Sequence, residues 1–202
     1  MALKSSFSSD LAKEQRLAAL LDSYYTNNLK HYTFKRIAGL KEQLAGIDVI
    51  FTHKLNGKNY GIDEKAQLDY VNEDLPTFAF EICYYKKGVE KEGWLYDEKK
   101  KTDFYALVTA IYDDGDKRYS SCKITLVNRQ KLQEVLTNRG LNKVALKSFY
   151  NTSAHGKINV AGLNARNEGY LFLSTKNKAE KPLNLILKLD WLIQNNIGKR
   201  LV

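Results

Sequence analysis

Cysteine is scarce: only Cys83 and Cys122 occur in 202 residues. That is too few for a secreted disulfide scaffold, and their spacing suits no zinc site. Cys83 lies in an apolar run and reads as a reduced core thiol. Proline is as rare, with two residues, so no Pro-rich linker divides the chain. No apolar run approaches the roughly 20 residues of a membrane span. The opening MALKSSFSSDLAKEQ holds no apolar core of signal-peptide length. These absences set the expectation of a cytoplasmic protein without a membrane partner. The three histidines, His31, His53 and His155, lie far apart and form no metal-ligand spacing. His155 sits beside Ser153 in SAHGK, but two such side chains on a loop make no catalytic triad. There is no GxxxxGK[ST], which argues against NTP hydrolysis. Internal repeats and low-complexity tracts are also missing.

What is present is a core and a charge. Hydrophobic residues make up 44% of the chain, enough for a globular domain. Lys and Arg number 32 against 23 Asp and Glu, a net charge of +9. A protein this basic meets a polyanion, most often nucleic acid, or carries a lysine-rich surface for solubility.

The periodicities alternate between helix and strand. SSDLAKEQRLAALLDSYY reads as a helix capped by Ser8 or Ser9, with Leu11, Leu17, Leu20, Leu21 and Tyr24 on one face. FKRIAGLKEQLA continues with weaker helical character, broken at Gly39. GIDVIFTH is a strand candidate, KLNGKN a turn centred on Asn-Gly, and YGIDEKAQLDYV the returning strand. TFAFEICYY reads as a third strand. The mixed-charge tract KKGVEKEGWLYDEKKK reads as a solvated loop or short helix. DFYALVTAIY and SSCKITLV follow as strands. NRQKLQEVLTNRG is a helix capped by Asn128 and followed by Gly140. GYLFLST and LNLILKL are further strands, and DWLIQNNIG is a helical tail. This order predicts a single α/β or α+β domain over residues 1–202 with a mixed sheet.

Two acids stand inside apolar, strand-like runs, where an unpaired carboxylate is costly. Asp48 precedes the Asn-Gly turn and Asp63 follows it. Directly opposed residues on paired strands lie about 5 Å apart, and diagonal ones about 7–8 Å. Carboxylates that close repel unless a cation lies between them or one is protonated. Mg²⁺ takes one or two protein carboxylates and leaves its other positions to water and phosphate. Strand parity puts Lys65 and Gln67 on the face of Asp63 and Glu64 on the other.

Asp48, a hairpin, then Asp63-Glu64-Lys65 resembles the PD-(D/E)xK nuclease superfamily. Its members place a helix before a three-stranded meander, with the first acid on one strand and the (D/E)xK on the next. The likeness runs from the first helix to about Tyr112, with core residues 8–112 and an elaboration over 113–202. Ile47 stands where the motif has Pro, and many members carry Gly-x-Asp there instead. The resemblance implies a restriction-endonuclease-like mixed sheet flanked by helices, in a phage or restriction-type branch. It implies a metal-dependent DNA endonuclease, a phosphodiester hydrolase using Mg²⁺ with Mn²⁺ as a substitute. Asp48 and Asp63 would bind the metal, with the backbone carbonyl of Glu64 beside them. Lys65 would hold the water that displaces the 3′ oxygen and leaves a 5′ phosphate. A homodimer is implied where both strands are cut.

Other positions have both a site reading and a plain one. Glu81 is a metal-shell acid or a salt-bridge partner. Gln67 contacts DNA, positions Lys65, or is an ordinary strand residue. Gln43 stands shortly before GID. Glu14 and Glu42 are candidates for a helix acid added to the site, or are solvated helix residues. Trp94 and Tyr96 stack near nucleic acid or close the core. The triplet itself is unspecific: Asp97-x-Lys99 and Glu98-x-Lys100 repeat it in a polar run. The rival from another class is a non-catalytic nucleic-acid-binding protein that retains the fold. No residue designates the nucleic-acid contact surface.

Overall fold

The computed structural model describes residues 7–115, 118–176 and 179–202. In chain order the elements begin with α1 (Phe7–Asn28), β1 (Tyr32–Arg36), α2 (Leu40–Leu44), β2 (Val49–His53) and β3 (Asn59–Ala66). There follow β4 (Thr77–Lys86), β5 (Val89–Glu92), β6 (Phe104–Asp113) and β7 (Tyr119–Asn128). The chain continues through α3 (Arg129–Asn138), α4 (Lys143–Lys147), β8 (Gly156–Ile158) and β9 (Gly169–Leu173). It closes with β10 (Leu183–Lys188), α5 (Leu189–Gln194) and β11 (Gly198–Arg200). The architecture is α+β, with one mixed and one antiparallel sheet. No helix among the described residues is long and apolar enough to cross a membrane.

The chain divides into two compact, interleaved units. The first holds Met1–Leu75, Thr102–Leu126 and Arg200–Val202; the second holds Pro76–Lys101 and Val127–Lys199. Residues 76–101, which the sequence reading puts inside the nuclease-like core, therefore belong to the second unit.

In the first unit, α1 packs Leu17, Leu21 and Tyr25 at four-residue spacing onto the sheet, with Leu29 just past its end. They meet Val49 and Phe51 of β2, Ile62 of β3, Ala106 and Val108 of β6, and Ile124 of β7. Tyr25 is the buried tyrosine, while Tyr24 is only partly covered. Ser8 and Ser9 lie within the described span of α1, and their side chains lie outside the described part, as does the capping expected of them. The sheet order is β1-β2-β3-β6-β7-β11. β1, β2 and β3 form an antiparallel meander, and β6 joins β3 in parallel. The β2–β3 loop has Gly57 at φ 68, a left-handed turn that favours glycine, and Asn56 Oδ1 accepts from Lys58 N at 3.0 Å.

Two expectations need correction here. FKRIAGLKEQLA is not a continuing helix: its start belongs to β1, whose partly covered and exposed residues alternate, and only a five-residue α2 follows. TFAFEICYY, as β4, does not pair with β3. The third member of the meander is β1, and β4 lies in the other sheet.

The second unit is built on the antiparallel sheet β5-β4-β10-β9-β8. One face buries Phe78, Phe80, Leu171, Leu173, Leu183, Leu185 and Leu187. Its α3 ends as the sequence predicts. Asn128 Oδ1 accepts from Lys131 N at 2.8 Å at the start. Gly140, at φ 74, follows the helix, with Gly140 N donating to Thr137 O and Leu141 N to Leu136 O. The tract KKGVEKEGWLYDEKKK is not wholly solvated. It contributes β5, and Gly93, Leu95 and Tyr96 are buried. A Cβ on Gly93 would collide with the backbone of Glu81, so the tract's approach to β4 depends on that glycine. Cys83 and Cys122 are buried free thiols, which burial pushes up to about 11 and about 12.

Candidate functional site

The hairpin brings Asp48, Asp63 and Lys65 together. β2 pairs with β3 in a register that matches Val49 with Ile62. Asp48 lies one residue before β2. Its N–H donates to Ile62 O at 2.8 Å, and its Oδ2 accepts from Glu64 N at 2.8 Å. The Asp48 carboxylate thus takes over a ladder position that the backbone of β2 no longer supplies. That bond fixes it at the edge of β3, beside Asp63.

Asp63 is buried, with 2% of its surface exposed. Its Oδ1 accepts from Lys65 Nζ at 2.6 Å, while its Oδ2 is buried and has no donor. Burial pushes the Asp63 carboxyl from 3.8 up to about 6. Lys65 pulls it down, and Asp48 pushes it up both through space and at hydrogen-bond range. Two ionised carboxylates have no donor between them. Their contact becomes a hydrogen bond only when one holds a proton, and otherwise it calls for a cation.

Glu64 turns to the opposite face and serves a different purpose. Its carboxylate accepts from Tyr25 Oη at 2.8 Å and from Arg36 Nη1 at 2.7 Å. Arg36 also donates through Nη2 to Asp22 Oδ1 at 2.6 Å. Burial raises the Glu64 carboxyl and Arg36 lowers it. Burial and Glu64 hold the Tyr25 hydroxyl well above its ordinary value, so it remains a donor. This network ties α1 and β1 to the residue whose N–H holds Asp48. Sequence reasoning missed Tyr25, Arg36 and Asp22. Tyr25 follows Leu17 and Leu21 at helical spacing, and that was the available signal. Two further contacts secure the neighbourhood: Asp103 Oδ2 accepts from Gly61 N at 2.7 Å, and Thr102 Oγ1 donates to Gly46 O at 2.7 Å.

The accessory candidates lie on several different elements. Gln67 follows the end of β3, its N–H donating to Val108 O, with its side-chain Oε1 buried. Gln43 Nε2 donates to Ile37 O at 3.1 Å, which ties α2 to the end of β1. Glu42 is exposed, and its carboxylate folds back over Gly39 at the start of its own helix. Glu14 lies on α1, with its side chain outside the described part. Glu81 belongs to the second unit, opposite Asn184 of β10. Trp94 lies 5.3 Å from Phe80, and Tyr96 Oη donates to Leu141 O at 2.8 Å, so both serve that unit's packing. The second DEK is a turn: Asp97 Oδ1 accepts from Lys99 N at 3.0 Å, and Arg129 Nη2 donates to Asp97 O at 2.8 Å.

No group of three or more His, Cys, Asp or Glu among the described residues is placed to hold a metal ion. The donor set is therefore two carboxylates, one of them with a buried oxygen lacking any donor. Such a set fits a hard cation that keeps most of its water, and not a cation that needs a closed protein cage. No protein-family model, curated protein or solved structure matches the chain.

Proposed function

We propose that the chain is a metal-dependent DNA endonuclease that hydrolyses phosphodiester bonds at Asp48, Asp63 and Lys65. The observation that carries this reading is Asp63: a buried carboxylate with one oxygen on Lys65, the other without a donor, and a second carboxylate alongside. A cluster serving stability alone would pair that oxygen or replace the acid. The order of elements supports the same reading. A helix precedes a three-stranded meander, the first acid stands at the edge of the second strand, and DEK lies on the third. This order is similar to that of the PD-(D/E)xK superfamily, with β1 and not β4 as the remaining strand of the meander.

Asp48 and Asp63 would hold Mg²⁺ or Mn²⁺, with the Glu64 carbonyl as a further oxygen donor. The ion, when bound, supplies positive charge against the phosphate oxygens and acidifies a water. Asp63 holds the Lys65 ammonium at the site, where its donors can orient the attacking water. Tyr25 and Arg36 fix Glu64, and its N–H fixes the Asp48 carboxylate. The water displaces the 3′ oxygen and leaves a 5′ phosphate. Cutting both strands needs two sites, so the proposed form is a homodimer.

The test is supercoiled plasmid incubated in Mg²⁺ with wild type, Asp48→Asn and Asp63→Asn. Wild type is expected to nick it, EDTA to stop the reaction, and both variants to lose it. Binding without cleavage in Mg²⁺ and Mn²⁺ would favour the non-catalytic binding protein. Cleavage that survives in both variants would remove the assignment of this site.

A further inference from the structure

The two units divide the charge unequally. The first holds as many Asp and Glu as Lys and Arg, so the whole net charge of +9 falls in the second. The second unit also has a sheet face that is only half covered. Along β9 and β10, buried residues alternate with half-buried ones. Register places the half-buried ones side by side: Ile186 faces Tyr170, and Asn184 faces Phe172. On β8, exposed Lys157 faces Phe172, and its Nζ lies 4.3 Å from the centre of the Tyr170 ring. Lys188 follows on the same face of β10.

The same face carries Glu81 of β4 opposite Asn184, and the His155 ring meets Phe172 edge-on at 5.6 Å. Two aromatic rings two residues apart on one strand, flanked by an amide, two lysines and this one acid, form a surface on which successive bases can stack. Stacking tolerates any base because every base has a π face, while lysines meet the phosphates between them. We infer that this face of β8, β9 and β10 binds single-stranded nucleic acid. Charge complementarity selects the partner: a polyanion is attracted to a unit that carries all of the chain's excess positive charge. A duplex hides its base faces and has no use for the rings. The exposed Lys157–Tyr170 contact is weaker than a base on a ring, so the bound strand displaces Lys157 onto a phosphate. This surface goes beyond the proposed metal site and does not depend on it.

The full chain is titrated in EDTA against a labelled oligothymidylate of about 20 nucleotides, longer than the roughly 4–16 nucleotides that a comparable platform covers. Anisotropy reads the affinity. Tyr170→Leu and Phe172→Leu are each expected to weaken binding roughly tenfold. Tyr170→Phe and Phe172→Tyr are expected to keep it, which separates a lost ring from a damaged fold. Lys157→Gln is expected to flatten the salt dependence, since one phosphate contact is removed. A duplex of the same length is expected to bind more weakly and to ignore the leucine variants. Leucine variants that melt like wild type and bind the oligonucleotide as well would overturn the inference. So would loss of binding in the conservative pair, equal or tighter duplex binding, or no binding by wild type. Plasmid cleavage in Mg²⁺ and oligonucleotide binding in EDTA are read separately, so failure of the nuclease reading abolishes only the first and failure of this inference only the second.

Discussion

Asp63→Asn is expected to make the metal-free protein more stable at pH 8, by about 2–3 kcal/mol. The folded chain holds a proton on Asp63 up to about pH 6, whereas the free side chain releases it near its ordinary 3.8. Between those values the native state binds a proton that the unfolded state does not. Stability therefore falls as pH rises through that window and stays low above it. Burial is the main cause, and the neighbouring Asp48 adds to it. Asparagine removes the charge and keeps the shape. Denaturant melts of both proteins at pH 4.5 and pH 8 check this. The expected result is a gap between variant and wild type that is small at the lower pH and large at the higher. A variant less stable than wild type at pH 8 would mean that the carboxylate is satisfied in the fold. A bound divalent cation should close the gap by stabilising wild type alone.

Lys65→Ala is expected to slow plasmid cleavage by roughly 100- to 10,000-fold, the range for loss of a group that handles a proton in the transition state. The variant should still fold, because without Lys65 the buried Asp63 carboxyl stays protonated to higher pH and is left neutral. Lys65 lowers the Asp63 carboxyl, so its removal should move the fall in stability to higher pH. Stabilisation by Mn²⁺ should persist, since neither carboxylate is touched. A variant that cleaves at the wild-type rate would show that Lys65 serves only to neutralise Asp63.

Much of the hairpin was legible because three local signals agreed. Alternation marked both strands, Asn56-Gly57 marked the turn, and the two together bring Asp48 beside Asp63. The parity that separated Glu64 from Asp63 also held, since Glu64 meets Tyr25 and Arg36 while Asp63 meets Lys65. The choice of sheet was not legible. β4 alternates as clearly as β3 does, but nothing in a strand's own sequence states which neighbour it will pair with. β3 takes β6 instead, from beyond the loop that carries the second DEK. Glu81 went with β4. Residues Tyr32–Arg36 alternate like a strand, but Leu40–Leu44 behind them has helical texture, and the two blurred into one helix. The β6 parity also breaks: Val108 and Ile111 share a core, with Ala110 at φ 47 between them. Such a left-handed alanine is imposed by tertiary packing and leaves no mark in propensity.

The central claim is that Asp48 and Asp63 share one divalent cation. Calorimetric titration of Mn²⁺ into the metal-free protein, at pH 6 and pH 8 in buffers of different ionisation enthalpy, tests it most directly. One ion is expected to bind each chain, releasing about half a proton at pH 6 and almost none at pH 8, with binding lost in Asp48→Asn and Asp63→Asn. Absence of binding, or binding that both variants retain, would contradict it.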